Sequence, residues 1–546
     1  MKHFLLPIIT SLALTAQGQL VIDNATFFIG ENAVVTVQGN LTTNVAIQAG
    51  GSGATRGKIQ MKGASAQTIT VNSASATIPR LEIDNTNHVQ LAGSNDLRVD
   101  NQLDFTNGKL QLGTRNILLP EAITITGAGV GKFIETNGTG EARQLMTANG
   151  SRVVPVGTGT HFNPTTVTTT GSTFGANAYI GVRSTGAAVT TPQRHPRTET
   201  FLSTAFAVTR SGVTGGTVNV AGTYTDGQIA GLGTPVEADL NGFFWDGAAW
   251  SLAGGTQNAG TNTIGANVGA SGGVVYGMNK FVLANLSAVL QGAYNSGTGL
   301  MTDAYRANNL LPTTDPYRTF SGFTHVQNAV PEEISNASVF GIQGNANHNI
   351  VDWVFVQLRA SNAPSTVLQT RAALIRANGE IIDIDNASPL YFKNVDAGNF
   401  IFTVRHRNHL GISNNPASAL ALGLTPTAFN FSTSPASAVL GTAGTNYFVG
   451  NSVRQLFAGD VTSNGTTNYI AIGTTDRSSM LTSLPGGSPS ATRQINSTTD
   501  YLNFSRGDVN FSRVVNYVAI GTTDRSFLLS TILGGSPTAV RTQINP

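Results

Sequence analysis

The sequence predicts a mainly β protein with several domains, and three observations support this fold class. At 546 residues the chain is too long for a single hydrophobic core. Only 11% of the residues are charged and 62 are glycine, so polar positions fall mostly to Thr, Ser, Asn and Gly, which suit strands and tight turns. Short runs that alternate apolar and polar residues recur between Asn or Gly. We expect a β-solenoid or β-sandwich N-terminal region, two antiparallel β-sandwich domains and a small C-terminal repeat region with short helices.

Charge and cysteine content exclude several kinds of function. The formal net charge of +2 is not concentrated in a basic block, which argues against a nucleic-acid partner. The chain has no cysteine, which excludes disulfides, thiolate metal sites and cysteine nucleophiles.

The N-terminus has the pattern of a secretory signal peptide at residues 1–18. A basic start at Lys2 and His3 precedes the apolar run 4–14, and small residues follow up to Gly18. The run is too short to span a bilayer. We therefore expect an exported protein, secreted or on the outer cell surface, without a transmembrane segment after removal of the signal.

Residues 19–150 contain a series of short period-two runs that end in Asn or Gly. Period two puts the apolar side chains on one face of a strand. Similar runs in series favour a β-solenoid, although a plain β-sandwich has a similar pattern. The clearest runs are 81–85, 97–101, 103–107 and 110–113.

Two antiparallel β-sandwich domains are expected at 151–288 and 289–423, followed by a linker at 424–454. In the first, Asp246-Gly247 marks a hairpin turn, and residues 281–284 form the expected closing strand. In the second, Asn378-Gly379 marks another hairpin. A further hairpin is expected to join residues 391–392 to the strand at 400–404 through Asp396-Ala397-Gly398.

Residues 455–546 contain one unit written twice. Gly459-Asp460-Val461 returns as Gly507-Asp508-Val509, and the eight residues 471–478 return identically at 519–526. The offset is 48 residues in both cases (459 to 507 and 471 to 519). This is an internal duplication.

The duplicated unit begins like a calcium loop, and its oxygen-bearing residues are the candidate metal ligands. Calcium binds about six to eight oxygens, which a tight loop supplies from alternate positions with Gly at the sixth. Gly465 holds that sixth position in the first copy, whereas Ser512 and Arg513 stand at the fifth and sixth in the second. The candidates are Asp460, Thr462, Asn464, Asn468 and Asp476 in the first copy, and Asp508, Asn510 and Asp524 in the second.

A structural alternative for the later aspartates stays open. Asp476 and Asp524 precede the expected helices 477–484 and 525–532, where an N-terminal carboxylate satisfies free amides. The Glu that closes an EF-hand loop is replaced by Ala471 and Ala519.

Catalytic patterns are weak, and we expect no enzymatic activity. His406 and His409 form an H-x-x-H at the end of a strand, where positions i and i+3 point to opposite faces, so joint metal binding is not expected. Asp383 and Asp385 share a face, as the carboxylates of a glycosidase do, but the solvated outer face of a hairpin explains them.

Five motifs stand out in residues 289–546: Leu290-Gln291-Gly292-Ala293-Tyr294, Leu310-Leu311-Pro312, Val351-Asp352-Trp353-Val354, Arg371-Ala372-Ala373-Leu374 and Arg405-His406-Arg407-Asn408-His409-Leu410-Gly411. Together they resemble a module of secreted Bacteroidetes-type surface proteins, which implies a carboxypeptidase-regulatory-like or immunoglobulin-like sandwich at 289–423. In that family the module is followed by paired dockerin-like calcium repeats. The chain departs from the family repeat where Asn464, Ser512, Ser478 and Ser526 replace carboxylates.

The resemblance implies an adhesin-like surface protein without catalysis, with calcium as the implied ion and an extracellular glycan or protein as its ligand. The alternative is a carbohydrate-binding or scaffolding subunit that docks through its C-terminal repeats. A polysaccharide-degrading enzyme is the least favoured class, because no acid pair stands out.

Overall fold

A computed structural model describes residues 18–188, 190, 194–470, 473, 475–518 and 520–546. The expected signal peptide, Gly18 apart, lies outside the described residues. The chain divides into two compact units, Met1–Asn279 and Lys280–Pro546. Strands dominate both units, which confirms the mainly β class.

The first unit begins with a β-solenoid-like stack of parallel strands in two sheets. One sheet is parallel up to its last pair, which is antiparallel. Its eight strands, in spatial order, are Leu20–Ile22, Leu41–Thr43, Gln67–Val71, Val89–Gly93, Leu110–Gln111, Ile134–Glu135, Val156–Thr158 and His161–Phe162.

The other sheet has thirteen strands and changes from parallel to antiparallel pairing after Ala142–Leu145. The parallel part contains Val34–Val37, Lys58–Met61, Thr77–Asp84, Leu97–Asn107, Ile117–Leu119, Thr124–Thr126 and Ala142–Leu145. The antiparallel part contains Thr173–Thr185, Thr200–Thr214, Ile229–Gly231, Gly273–Asn279, Leu240–Trp245 and Trp250–Ser251.

The stack repeats about every 24 residues, and both its apolar and its polar side chains form ladders. Met61, Ile83 and Phe105 lie in register on successive strands and are buried. Arg80 donates to Asp104, 24 residues later, at 2.8 Å, and the same spacing separates the pairs Thr36 with Gln60, Gln60 with Asp84, and Thr106 with Glu82. At one corner, Gly108 has φ +75°, and a Cβ there would lie 1.8 Å from the carbonyl oxygen of Asn85, so only glycine fits.

Two smaller sheets complete the first unit. A five-stranded antiparallel sheet contains Gly150–Val154, Thr165–Thr170, Thr217–Thr223, Thr263–Asn267 and Thr256–Asn258. Phe28–Ile29 pairs with Gln48–Ala49. The Phe206 ring, on a strand of the thirteen-stranded sheet, lies directly against Gly222 of the five-stranded sheet. The predicted hairpin at Asp246-Gly247 is confirmed, since Trp245 pairs with Trp250.

The second unit is built on a nine-stranded sheet. Seven strands run in the spatial order Leu390–Lys393, Phe281–Ser287, Glu380–Ile382, Ala363–Arg376, Ile350–Ala360, Gly398–His406 and His409–Ser413. Leu420–Leu422 pairs with Gly398–His406, and Thr427–Asn430 pairs with Phe281–Ser287. The hairpin at Asn378-Gly379 is confirmed, since Leu374 pairs with Ile382.

Two strand assignments differ from the sequence interpretation. Phe281–Ser287 does not close the preceding domain but lies inside the sheet of the second unit. Leu390–Lys393 pairs with Phe281–Ser287 and not with Gly398–His406, so the hairpin predicted through Asp396 is wrong. Turn residues indicate a reversal of the chain, but the pairing partner depends on which sheet edge is free.

The remaining elements are short. Helical turns in the first unit are Gly53–Thr55, Asp226–Gln228 and Glu237–Asp239. Those in the second are Ala304–Ala307, Pro316–Arg318, Ala337–Phe340, Ala346–His348, Pro416–Ser418, Ala436–Ala438, Asp476–Thr482, Pro485–Gly487, Thr498–Phe504, Asp524–Ser526 and Phe527–Ile532. Two small hairpins pair Tyr294–Asn295 with Leu300–Met301 and Phe448–Gly450 with Val453–Gln455.

The two repeats pair crosswise. Thr466–Asn468 of the first copy pairs with Val540–Thr542 of the second, and Thr492–Gln494 of the first pairs with Val514–Asn516 of the second. The two copies therefore exchange strands and form one interlocked region. Over the part of the chain that the structure describes, every helix is too short or too polar to cross a bilayer.

Candidate functional site

Each repeat forms a tight loop around the aspartate at its start. In the first copy, Asp460 accepts hydrogen bonds from the amides of Asn464 and Gly465, both at 3.0 Å. In the second copy, Asp508 accepts the equivalent bonds from Ser512 at 2.9 Å and Arg513 at 2.7 Å. Gly465 and Arg513 both have positive φ, +81° and +65°, so the loop keeps its shape although the second copy has lost its glycine.

The second aspartate of each repeat folds back onto the loop. Asp476 accepts from the amides of Thr462 at 3.1 Å and Asn468 at 2.9 Å. Asp524 accepts from three amides of the second copy, those of Val509 (2.8 Å), Asn510 (3.4 Å) and Asn516 (2.8 Å). The duplicated sequence therefore builds the same pair of buried carboxylates twice.

The interpretation of these aspartates as helix caps is wrong. The helices begin at Asp476 and Asp524, as expected within one residue, but their N-caps are Thr475 and Thr523. Each cap hydroxyl accepts from the amide three residues on, Ser478 or Ser526. The cap position is filled by threonine, which leaves the carboxylates directed at the loop.

Burial makes all four carboxylates costly to ionise. It raises the pKa of Asp460 to about 6, against the opposing effect of the Gly465 amide. Burial and the charge of Asp460 together raise the pKa of Asp476 to about 7. In the second copy, burial raises the pKa of Asp508, and burial with the charge of Asp508 raises that of Asp524 well above its usual range. A nearby cation would relieve this cost.

The first copy carries the oxygen-bearing residue types of a calcium loop. Each oxygen of Asp460 accepts one hydrogen bond and so retains a lone pair. The side-chain oxygens of Thr462, Asn464 and Asn468 lie on the same loop. Two carboxylates and three neutral oxygens, with water, match the ligand set that calcium prefers.

The second copy does not fit as well, because its first carboxylate is already engaged. The phenol of Tyr305 donates to Asp508 at 2.6 Å, and the charge of Arg407 also acts on Asp508. The Asn510 oxygen accepts from the amide of Ser512, as the Asn464 oxygen accepts from that of Thr466 in the first copy, so the contact of Tyr305 with Asp508 is what distinguishes the two loops. Protein groups thus take the place that a cation has in a calcium loop.

Arginine–tyrosine contacts join the two copies reciprocally. Arg477 donates to the hydroxyl of Tyr517 at 2.6 Å, and Arg525 donates to that of Tyr469 at the same distance. Each guanidinium also lies over the ring of the tyrosine in its own copy. These are the Asn-Tyr and Asp-Arg positions of the duplicated unit, so the repeated residues include the contacts between the copies.

A buried polar cluster connects the repeats to the nine-stranded sheet. Asp352, in the strand Ile350–Ala360, pairs with Arg407 at 2.8 Å and accepts from the phenol of Tyr501 at 2.5 Å. The Arg407 guanidinium lies about 5 Å from the ring centroids of Tyr305, Tyr501 and Phe511. Burial alone would raise the pKa of Asp352, but Arg407 and its other partners hold it below its usual value.

The turn at Arg407 and Asn408 contacts both repeats. The Asn408 side chain donates to the carbonyl of Asp508 at 2.8 Å. On the first copy, the hydroxyl of Ser463 donates to the carbonyl of Arg407, and the amide of Gly459 donates to that of Asn408. This turn, in the middle of the R-H-R-N-H-L-G motif, therefore joins the sheet to the repeats.

His406 and His409 lie together, contrary to the expectation from strand geometry. They flank the turn of a hairpin rather than sharing one strand, and their Nδ1 atoms are 3.0 Å apart. His409 Nε2 accepts from the amide of Gly292, so its proton is on Nδ1, and His406 Nε2 faces Asp352 at 3.3 Å. Both rings are buried and uncharged in this network.

Because these two histidines are buried, we expect the folded state to lose stability in acid. Burial lowers the pKa of His406 to about 4 and that of His409 well below 6.5. Because the unfolded histidines take up protons near pH 6.5, their contribution is complete above that pH and is lost as the pH falls towards 4. We expect up to about 1.4 kcal/mol per pH unit from each histidine in denaturant unfolding.

A matched pair of variants tests this slope. His406→Gln is expected to flatten the decline between pH 6.5 and 4.5, and His348→Gln, in the turn Ala346–His348, to leave it unchanged. An identical pH dependence for wild type and His406→Gln would contradict the prediction.

Other residues singled out in the sequence lie elsewhere. Asp383 is buried and forms an ion pair with Arg371, so the solvated outer face expected for it is wrong. Asp385 accepts from the amides of Ala387 and Ser388 in a turn. The sequence interpretation missed Asp315, His325 and Glu332, whose ligand atoms lie within 4.8 Å of one another. Their spacing matches no motif, and only the fold brings them together.

A cleft of about 460 Å³ lies elsewhere in the second unit. Its lining combines amide, charged and apolar side chains, among them Gln327, Gln369, Asn394, Asp396 and Phe400.

No protein-family model matches this chain, and comparison with curated proteins and with solved structures likewise gives no match.

Proposed function

We propose that this chain is a non-catalytic, exported surface protein with an adhesive or matrix-binding role. The observation that carries this proposal is the buried cluster of Asp352, Arg407, Tyr305, Tyr501 and Asp508. In an enzyme such a group of titratable side chains would face a substrate cleft. Here the side chains bond to one another and hold the repeats on the sheet. The exported location is proposed on the N-terminal sequence pattern.

The same cluster favours this role over docking through the repeats. A docking module presents its own surface to a partner, whereas this repeat pair shares its core with the nine-stranded sheet. We propose that residues 280–546 form one module, in which a β-sandwich and a dockerin-like pair are joined. Two sheets in contact through Phe206 and Gly222 support a second β-sandwich in the first unit, next to the solenoid-like stack.

Retention of protein-coated beads tests the adhesive role. Beads carrying the full chain are passed over surfaces coated with mucin, fibrillar collagen or cellulose, and beads carrying albumin are the control. Saturable retention on at least one surface, competed by free chain, supports the proposal. Release of reducing sugar from a polysaccharide would show that the protein is catalytic and would overturn that part of the proposal. Retention of the protein-coated beads equal to that of albumin-coated beads on all surfaces would overturn the adhesive role.

One observation favours the alternative of a carbohydrate-binding protein. The cleft beside Phe400 has the size of a small-ligand site and combines amide groups with an aromatic ring. Selective binding of the full chain to one class of glycan on an array would favour this alternative over protein adhesion.

We further propose that the first repeat binds calcium as a structural ion. Calcium is expected to raise the melting temperature of the full chain, because a ligand of the native state stabilises it by about 2.7 kcal/mol at one hundred times its Kd. Asp460→Ala is expected to abolish this increase. Asp508→Ala, the same change in the second copy, should lower the melting temperature yet keep the calcium response.

The calcium response should also depend on pH. Because the pKa values of Asp460 and Asp476 are raised in the folded protein, their protonated forms stabilise the fold, and this contribution is lost as the pH rises through about 6 to 7. Calcium restores the stability at higher pH by taking the place of the protons. The increase should therefore be larger at pH 7.5 than at pH 5. Melting temperatures that are equal with calcium and with chelator at pH 7.5 would contradict the proposal.

A further inference from the structure

A second group of ligand-type side chains lies in the segment between Leu311 and Ile334, apart from the repeats. The amide of Asp315 donates to the carbonyl of Glu332 at 2.9 Å, and the amide of Ile334 donates to that of Thr313 at 2.8 Å. These bonds place Asp315 beside Glu332. His325, from the loop between them, brings its Nε2 to 3.1 Å from Asp315 Oδ2.

Two ligand atoms at the centre of this group make no hydrogen bond. Asp315 Oδ2 and His325 Nε2 are both buried, and neither has a hydrogen-bond partner in the described part of the chain. The side chain of Asp315 is 0% exposed and that of His325 is 7% exposed. Their approach does not have hydrogen-bond geometry. It does match the separation of about 3 Å between two ligands that each lie about 2.1 Å from one metal ion.

The other atoms of these side chains are held by outer partners. Asp315 Oδ1 accepts from the amide of Tyr317 at 2.8 Å, which turns Oδ2 towards His325. Glu332 Oε1 accepts from the Asn328 side chain at 2.8 Å. The His325 ring packs edge-on against Phe355, with centroids 5.0 Å apart.

His325 Nδ1 has its own contacts, with Thr370 Oγ1 at 3.3 Å and Asn328 Nδ2 at 3.4 Å. In the tautomer that donates Nδ1–H to the Thr370 hydroxyl, the lone pair of Nε2 is directed at the centre of the group, and Asn328 Nδ2 then donates to Glu332 alone. Outer contacts of this kind orient metal ligands in proteins.

The surrounding charges tolerate a divalent cation. Arg318 Nε lies 3.5 Å from Asp315 Oδ2, and Arg371 lies between Glu332 at 3.2 Å and Asp383 at 3.3 Å. Three carboxylates against two guanidinium groups leave one negative charge. A divalent ion would change this to one positive charge, within reach of the solvent beside Arg318, which is 27% exposed.

We propose that Asp315, His325 and Glu332 bind one divalent first-row transition-metal ion of the zinc class. One imidazole and two carboxylates are a ligand set that such ions accept, with a water completing the coordination. Because the helical turn Pro316–Arg318 is the one helix in the described segment 312–334, the ion would hold together the two ends and the middle of an irregular stretch of chain.

Metal titration of the full chain tests the site. After removal of metals by a chelator, zinc is added in a calorimeter, and wild type is expected to bind one equivalent with micromolar or tighter affinity. His325→Gln and Asp315→Asn are each expected to weaken binding by about 100-fold, whereas His348→Gln leaves it unchanged. Circular dichroism shows whether each variant is folded.

A measurement on the wild type keeps the proposal falsifiable if the variants do not fold. X-ray absorption of the zinc-loaded chain is expected to show one imidazole and two or more oxygen neighbours. Absence of zinc binding at 100 µM, a shell with no imidazole or with two, or unchanged affinity in folded His325→Gln would each overturn the proposal. Excess calcium should not displace the zinc, because the repeats are a separate site.

Discussion

Replacing Asp352 with leucine is expected to lower the free energy of unfolding by about 3–5 kcal/mol. The carboxylate is fully buried and balances the equally buried guanidinium of Arg407 at 2.8 Å. Removing one partner of such a pair leaves an uncompensated charge in a medium of low polarity, which accounts for the size of the loss. The change also removes the acceptor of Tyr501 and the partner of His406. Urea unfolding followed by circular dichroism measures the effect.

A double-mutant cycle separates the charge from the packing. Asp352→Leu combined with Arg407→Met should be less destabilised than the sum of the single changes, because the uncompensated charge has gone. Asp396→Asn is the control for a carboxylate on the surface: it is 76% exposed, and its ion pair with Lys280 should contribute less than about 1 kcal/mol. Additive single changes would contradict the assignment of Asp352 and Arg407 as a coupled pair.

The second large effect is expected for Phe511→Ala, which should lower the free energy of unfolding by about 3–5 kcal/mol. Phe511 belongs to the second repeat, but its ring lies against Arg407, Tyr305, His406 and His409 of the neighbouring structure. Truncating a large buried ring removes this contact area and leaves a cavity. Hydrogen exchange should then rise throughout the second repeat and also in the turn at Arg407.

The duplication supplies a matched control for this change. Ser463 stands at the same position of the first copy with a similar positive φ (+53° against +58°), and its hydroxyl donates to the carbonyl of Arg407. Ser463→Ala should cost about 1 kcal/mol. Equal losses for Phe511→Ala and Ser463→Ala would show that the second repeat is not anchored through its aromatic ring. If hydrogen exchange in Phe511→Ala became faster in the second repeat but not in the turn at Arg407, the repeat and the sheet would not share one core.

These two effects bear directly on the proposed function. If the repeats depend on the sheet for their stability, they are part of one surface module and not a detachable docking element. The sequence similarity of the copies conceals an asymmetry. In the first copy each oxygen of Asp460 accepts one hydrogen bond, whereas in the second copy Asp508 also accepts from Tyr305 and Phe511 packs against Arg407.

Local chemistry by itself determined the strand-rich class, the hairpins at Asp246-Gly247 and Asn378-Gly379, and the helices that follow Thr475 and Thr523. These features depend on residues close together in the chain, through period-two alternation, positive φ at turns and capping hydroxyls. The duplication is also visible in the sequence alone, and it correctly indicated that Asp460 and Asp508 occupy equivalent loops.

Only the tertiary structure decided the partners across long separations. It placed Phe281–Ser287 in the second unit, brought His406 and His409 together across a turn, and buried Asp383 against Arg371. It also placed Asp315, His325 and Glu332 next to one another, and it placed the Tyr305 hydroxyl within hydrogen-bond distance of Asp508. The physical reason is that burial sets the chemistry of these groups, and burial depends on which elements pack together rather than on neighbours in sequence.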